Sequence, residues 1–264
     1  IEFGELSVNH EWQRVDFAKT FADPIVTAKS FSRNGGQSAT VRIDGVDETG
    51  FWIRIQEWDY LDGTHARETI TYVAIERGQH QLPNGTWIEA DSLDVSAADA
   101  FYRQSLIAPF SETPIVIAAV ASDNDTHAVT TRLRNATQSS FEVALQEQEA
   151  SSHRHETESV TYIAWEPSIG QIDGLAFEVA QAQESVTHLG SRVDFTGAYD
   201  EPPAVLADMQ TRNGGDTAVL RWSYKDAASM DVWVQEEQSK DSEVGHAKES
   251  VGYILLSNSG SDQP

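Results

Sequence analysis

The chain states one pattern three times, and that periodicity limits its fold more than any single motif does. Pro24 to Glu76 aligns without a gap on Pro114 to Glu166, and again on Pro203 to Ser257 with one two-residue insertion. The strongest matches are TGFWIRIQEW, SSFEVALQEQ and ASMDVWVQEE; after a loop come HARETITYVAIE, HETESVTYIAWE and HAKESVGYILLS. The 264 residues therefore read as three units, 1–82, 83–171 and 172–258, followed by a linker-like tail at 259–264. Units of roughly 85 residues are near the size where an independent core is marginal, so they are expected to lean on one another. Repetition also favours binding over catalysis, because weak sites gain from copies.

Each repeat opens on a short apolar-acidic piece: IEF at Ile1, WIEA at Trp87 and FEVA at Phe177. Proline then introduces a strand at Pro24, Pro114 and Pro203, a position that spares a ladder hydrogen bond. Ala39, Val41 and Ile43 alternate with Thr40 and Arg42, and Phe51, Ile53 and Ile55 alternate with Trp52, Arg54 and Gln56. Period two between Asn-Gly-Gly and Glu-Thr-Gly turns predicts antiparallel strands, and no stretch reads as a helix. The last strand differs. Ile70, Tyr72 and Ala74 oppose Val73 and Ile75, so it is apolar on both faces and must be buried on both. One face meets the partner sheet; the other is expected to meet the next repeat.

A formal net charge of -24 excludes a nucleic-acid binder, which needs a basic patch. It also disfavours unaided binding of acidic glycans or anionic membrane. Lysine occurs only at Lys19, Lys29, Lys225, Lys240 and Lys248, and so large an acid excess suits solubility in salty water or plain surface solvation. Without cysteine there is neither a disulfide frame nor a thiolate metal site. No apolar run approaches the roughly 18 residues of a membrane-spanning helix. The start at Ile1 and the ending SNSGSDQP read as a fragment of a longer, secreted or cell-surface polypeptide.

The order of Phe21, Pro24, Val26, Arg42, Gly50, Phe51, Trp58, Tyr72, Ile75 and Glu76 resembles the H-type lectin domain of snail agglutinins and the carboxy-terminal part of discoidins. The resemblance covers most of all three repeats and rests on hydrophobic and turn residues. It implies an all-β fold of three tandem six-stranded antiparallel sandwiches packed with pseudo-threefold symmetry, a covalent counterpart of that family's trimers. It also implies non-catalytic, multivalent binding of galactose- or N-acetylgalactosamine-type glycans near unit boundaries. The family's sugar-binding arginine falls on Ser38, Ala128 and Thr217, and its stacking tryptophan survives only as Trp58, replaced by Gln148 and Glu237.

Candidate carbohydrate-binding residues follow. Trp58, Tyr60 and Asp62 sit at an expected loop tip, where an aromatic face can take sugar C–H groups and a carboxylate can accept from hydroxyls. The turns Arg33-Asn34-Gly35 and Arg212-Asn213-Gly214 keep an arginine that no turn requires. The most constant polar set is Gln56-Glu57 with His65 and Glu68, recurring with His155 and Glu158 and with His246 and Glu249. It faces itself across a hairpin as a cross-strand network, a shared site at the unit boundary, or three histidines gathered around a zinc or nickel ion. Calcium is open through Asp44, Asp59, Asp62, Asp123 and Asp125; no other cofactor is implied. No nucleophile elbow, phosphate loop, dinucleotide fingerprint or zinc-hydrolase helix is present, and the chain reads as a non-enzyme. A structural or protein-binding repeat of an adhesin is the other reading.

Overall fold

The computed structural model describes residues 1–96, 100–172 and 174–258; the expected tail at 259–264 lies outside the described residues. Among the described residues the protein is all-β, as the alternation requires. The first repeat contributes β1 (Glu2–Val8), β2 (Gln13–Asp16), β3 (Pro24–Ser32), β4 (Ala39–Asp47), β5 (Gly50–Glu57) and β6 (Glu68–Glu76). β7 (Gly78–Gln81), β8 (Trp87–Val95), β9 (Tyr102–Ser105), β10 (Ile115–Val120), β11 (Val129–Thr137), β12 (Ser140–Glu147) and β13 (Glu158–Trp165) follow. The last are β14 (Ser168–Ile172), β15 (Leu175–Val186), β16 (Ser191–Asp194), β17 (Ala204–Met209), β18 (Ala218–Lys225), β19 (Ser229–Glu236) and β20 (Glu249–Asn258).

Each repeat pairs two sheets. β1-β6-β3 faces β2-β5-β4; β10-β13-β8-β7 faces β11-β12-β9; and β14-β15-β20-β17 faces β18-β19-β16, with β1-β6-β3 and β18-β19-β16 continuous as one six-stranded sheet. Three cores lie between these layers. Val26, Phe31, Ile70 and Tyr72 of one sheet meet Val41, Ile43, Phe51 and Ile53 of the other in the first, and the other two cores follow the same plan. Gly50 is required where β5 begins, since a Cβ there would stand 2.1 Å from the Val15 carbonyl oxygen. The boundaries drawn at 82/83 and 171/172 fall within hairpins, β7 with β8 and β14 with β15, which stitch consecutive repeats together.

A fourth cluster explains the doubly apolar closing strands. Val73 and Ile75 of β6, Ile163 and Trp165 of β13, and Ile254 and Leu256 of β20 all turn away from their own cores into one shared interior. All six are 3% exposed or less. The repeats thus shield each other's outer sheets, as the sequence pattern demands. β3 also adds to β18 in parallel at Phe31–Arg221 and Ser32–Trp222, joining the first repeat to the third.

A buried cation and a buried anion stand where the repeats meet. A bulge in β3, with Ser30 at φ 55°, lies beside Lys29, whose Nζ donates to Thr131 Oγ1 at 2.6 Å and to Thr130 Oγ1 at 3.1 Å. Asp208 of the third repeat stands 4.0 Å from the same nitrogen. Burial pushes the ammonium down and the carboxyl up, each partly offset by the other's charge.

A large-to-small change in the shared interior should cost what a core change costs. Trp165→Ala is expected to lower stability by about 3–5 kcal/mol in urea unfolding, in one cooperative transition. Segment 1–82 expressed alone should fail to give a dispersed amide NMR spectrum, because the Val73 and Ile75 face would be bare.

Candidate functional site

The constant polar set folds into a sealed arrangement in every repeat. His65 lies between Glu57 at 3.0 Å and Glu68 at 3.1 Å. His155 lies between Glu147 and Glu158 at the same distances, and His246 between Glu236 at 2.5 Å and Glu249 at 3.1 Å. The second glutamate of each set also takes a hydroxyl from Ser32, Ser122 or Thr211, and backbone N–H groups from the following turn.

That glutamate has one further partner, an arginine from the preceding repeat in cyclic order. Arg42 donates to Glu158 at 2.8 Å, Arg132 to Glu249 at 2.7 Å, and Arg221 to Glu68 at 2.7 Å. All three arginines are 0% exposed. First binds second, second binds third, and third binds first, so the ion pairs close into a ring. The glutamines before the first glutamates follow the same path: Gln56 donates to the Thr126 carbonyl, Gln146 to Gly215 and Gln235 to Gly36. Sequence reading found the histidines and acids and missed the arginines as partners. Their signal was an arginine at the same aligned place in all three repeats.

The expectation that these histidines are open to a ligand is therefore corrected. His65, His155 and His246 are buried, and each ring nitrogen faces a carboxylate of its own repeat, so they are not gathered on one ion. Burial alone would lower the His155 pKa, but the carboxylates of Glu147 and Glu158 outweigh it and raise the group to about 9. Burial would likewise raise Glu249, yet His246, Arg132 and Thr211 bring it down to about 2.

Trp58 is also corrected. It is 1% exposed, packs on Ala128 of the second repeat and Val219 of the third, and donates to Ser38 Oγ at 3.0 Å. Its partners come from two other repeats, which is why a loop-tip reading of local sequence missed them. Tyr60 stays exposed, and its hydroxyl accepts from the Gln238 amide at 3.0 Å. Asp62 caps its own turn by accepting from the Thr64 amide, and Asp59 accepts from the Ala128 amide. Asn34 and Asn213 use their side-chain amides on the carbonyls of Arg67 and Lys248, which fixes the turns.

Clefts do open at all three seams. Between first and second repeats, Arg54, Glu57, Asp59, Asp62, Asp123 and Thr126 line about 370 Å³. Between second and third, Glu147, Glu149, Arg212, Asp216 and Lys240 line about 240 Å³. There burial, with Asp216 and Glu237 nearby, pushes Glu149 up to about 7. Between third and first, Arg33, His188, Leu189, Arg192, Asp231 and Trp233 line about 300 Å³.

The third cleft stands apart chemically. The Arg33 guanidinium lies 3.8 Å from the Trp233 ring centroid, and Leu189 projects at the rim with 83% exposure. In its lining Arg33 and Arg192 accompany Asp231, and Asp194 outside the lining pairs with Arg192 at 2.9 Å, while acids outnumber bases in the other two clefts. Arg212, the counterpart of Arg33, lies 5.3 Å from the Phe101 ring centroid. The expected Arg33 and Arg212 are thus both at seams. Trp233, Asp231 and His188 were missed because Trp233 occupies the polar phase of its strand.

No family model and no solved structure matches the chain. The chain is 27% identical over 271 residues to Halomucin of Haloquadratum walsbyi, a match that takes in 96% of this chain and 3% of that protein's length.

Removing one partner of the ring leaves a buried charge without its counter-ion. Glu158→Gln is expected to cost about 3–5 kcal/mol in denaturant unfolding. A base held above its unfolded value of 6.5 adds stability below that pH and loses it as pH rises towards 9, so His155 supplies a falling limb across that window. Melting temperatures taken from pH 6 to 10 should show a smaller fall in His155→Gln than in the parent chain.

Proposed function

We propose that this chain is a non-catalytic, lectin-like module built as three six-stranded sandwiches with pseudo-threefold symmetry. It binds a neutral glycan in the cleft between the third and first repeats. The observation that carries the reading is the Arg33–Trp233 pair, flanked by His188, Asp231 and the exposed Leu189. Sugars are held by apolar contact with an aromatic side chain and by planar donors and acceptors aimed at hydroxyls. Trp233 with Leu189, and Arg33 with Asp231, supply both kinds of contact. The balanced charge of this cleft suits an uncharged ligand. Galactose- or N-acetylgalactosamine-type sugars follow from the H-type lectin resemblance, which also supports the order of strands proposed here.

The module works as part of a longer extracellular polypeptide on this reading. The Halomucin match supports that context, because nearly all of this chain corresponds to a small share of one long protein. The acid excess supports a salty medium, in which screening relieves repulsion among the 42 carboxylates. The second reading, architecture alone, is favoured by how completely Trp58 and the three histidines are enclosed.

A glycan array separates the two. Binding to neutral galactose-type glycans, lost by roughly tenfold or more in Trp233→Ala and Arg33→Ala by calorimetry, is the expected result. Silence across the array with and without calcium would leave architecture as the function. The melting temperature should rise when sodium chloride is raised from about 0.1 M to 1 M, as the screening length shortens from about 10 Å to 3 Å.

A further inference from the structure

We infer that Asp125, His127 and His153 form a site for a first-row divalent transition ion, zinc being the natural probe. The three ligand atoms lie within 4.8 Å of one another. His127 Nδ1 is 2.7 Å from Asp125 Oδ1, and His153 Nε2 is 2.9 Å from Oδ2. The two imidazoles stack at 3.9 Å between centroids. Two imidazoles and one carboxylate are a ligand set that zinc accepts, with water completing four-coordination. Bonds of about 2.0–2.1 Å need the ligand atoms to open to roughly 3.3 Å, a small rotation for two partly exposed rings.

The site is built rather than incidental. The Asp125 carboxylate is 7% exposed and fixed by the backbone amides of His127 and Glu156, which leave it aimed at the rings. The turn beneath it is anchored from both sides, since the Asp125 amide donates to Glu158 and its carbonyl accepts from Arg42. His155 stands behind the carboxylate at 3.9 Å. The repeat alignment supplies a second, independent observation. Asp125 takes the place of Gly35 and Gly214, His127 that of Gln37 and Asp216, and His153 that of Gly63 in the ungapped alignment. Only the second repeat sets two imidazoles on these two separate loops, and the fold brings them together beside Asp125. Surface solvation does not require such a coincidence.

The site adjoins the sealed His155 but is separate from the glycan cleft between the third and first repeats, so its test stands whether or not a sugar binds. Calorimetric titration of the full chain with zinc chloride should give one ion per chain. His127→Ala and His153→Ala, both on partly exposed rings, should each weaken binding by roughly tenfold or more, in proteins whose metal-free amide spectra stay dispersed. Anomalous diffraction at the zinc edge should place the ion between the three residues. Absence of a 1:1 event, parental affinity in both variants, or an anomalous peak elsewhere, such as at Asp216, Glu236 and Glu243, would overturn the assignment.

Discussion

A guanidinium withdrawn from water must be met by an anion, and this protein supplies one across each of its seams. Arg42, Arg132 and Arg221 sit in strands that otherwise read as core, and each reaches a glutamate that its own repeat does not provide. A buried pair of this kind adds little net stability over apolar packing. Its effect is on arrangement: a repeat in the wrong place would bury a charge with nothing to answer it. The glutamates are held in turn by histidine, hydroxyl and turn amides, so the turn at each seam is set by the same contacts that join the repeats.

Much of the fold was legible because it depends on local alternation. β6, β13 and β20 announced their two buried faces by having no polar phase, and the shared interior of Val73, Trp165 and Leu256 is the outcome. The His–Glu hairpin network was legible for the same reason, since His65 is only three and eight residues from its two partners. What could not be read was distance in sequence. Trp58 looked exposed because Ala128 and Val219 lie in other repeats, and Arg42 looked like an ordinary outward residue because Glu158 is 116 positions away. Trp233 was hidden by occupying the phase of its strand that alternation assigns to solvent.

Unequal seams follow from unequal side chains on one plan. Arg54 with Asp123 occupies the first, Arg212 near Phe101 the second, and Arg33 on Trp233 the third. The acidic surface makes this last cleft, with its balanced charges, distinctive within the molecule. Burial among the carboxylates of the second seam, which raises Glu149, shows the opposite extreme.

The buried charges where the repeats meet carry a consequence for engineering. Lys29, Ala119 and Asp208 occupy corresponding positions of the three repeats: one cation, one neutral residue and one anion. Three identical copies there would confront lysine with lysine or aspartate with aspartate in a medium that cannot dissolve either. The three units differ at this position, so one cannot stand in for another. Replacing the first unit by a duplicate of the second would put alanine in place of Lys29 and leave Asp208 buried without that cation.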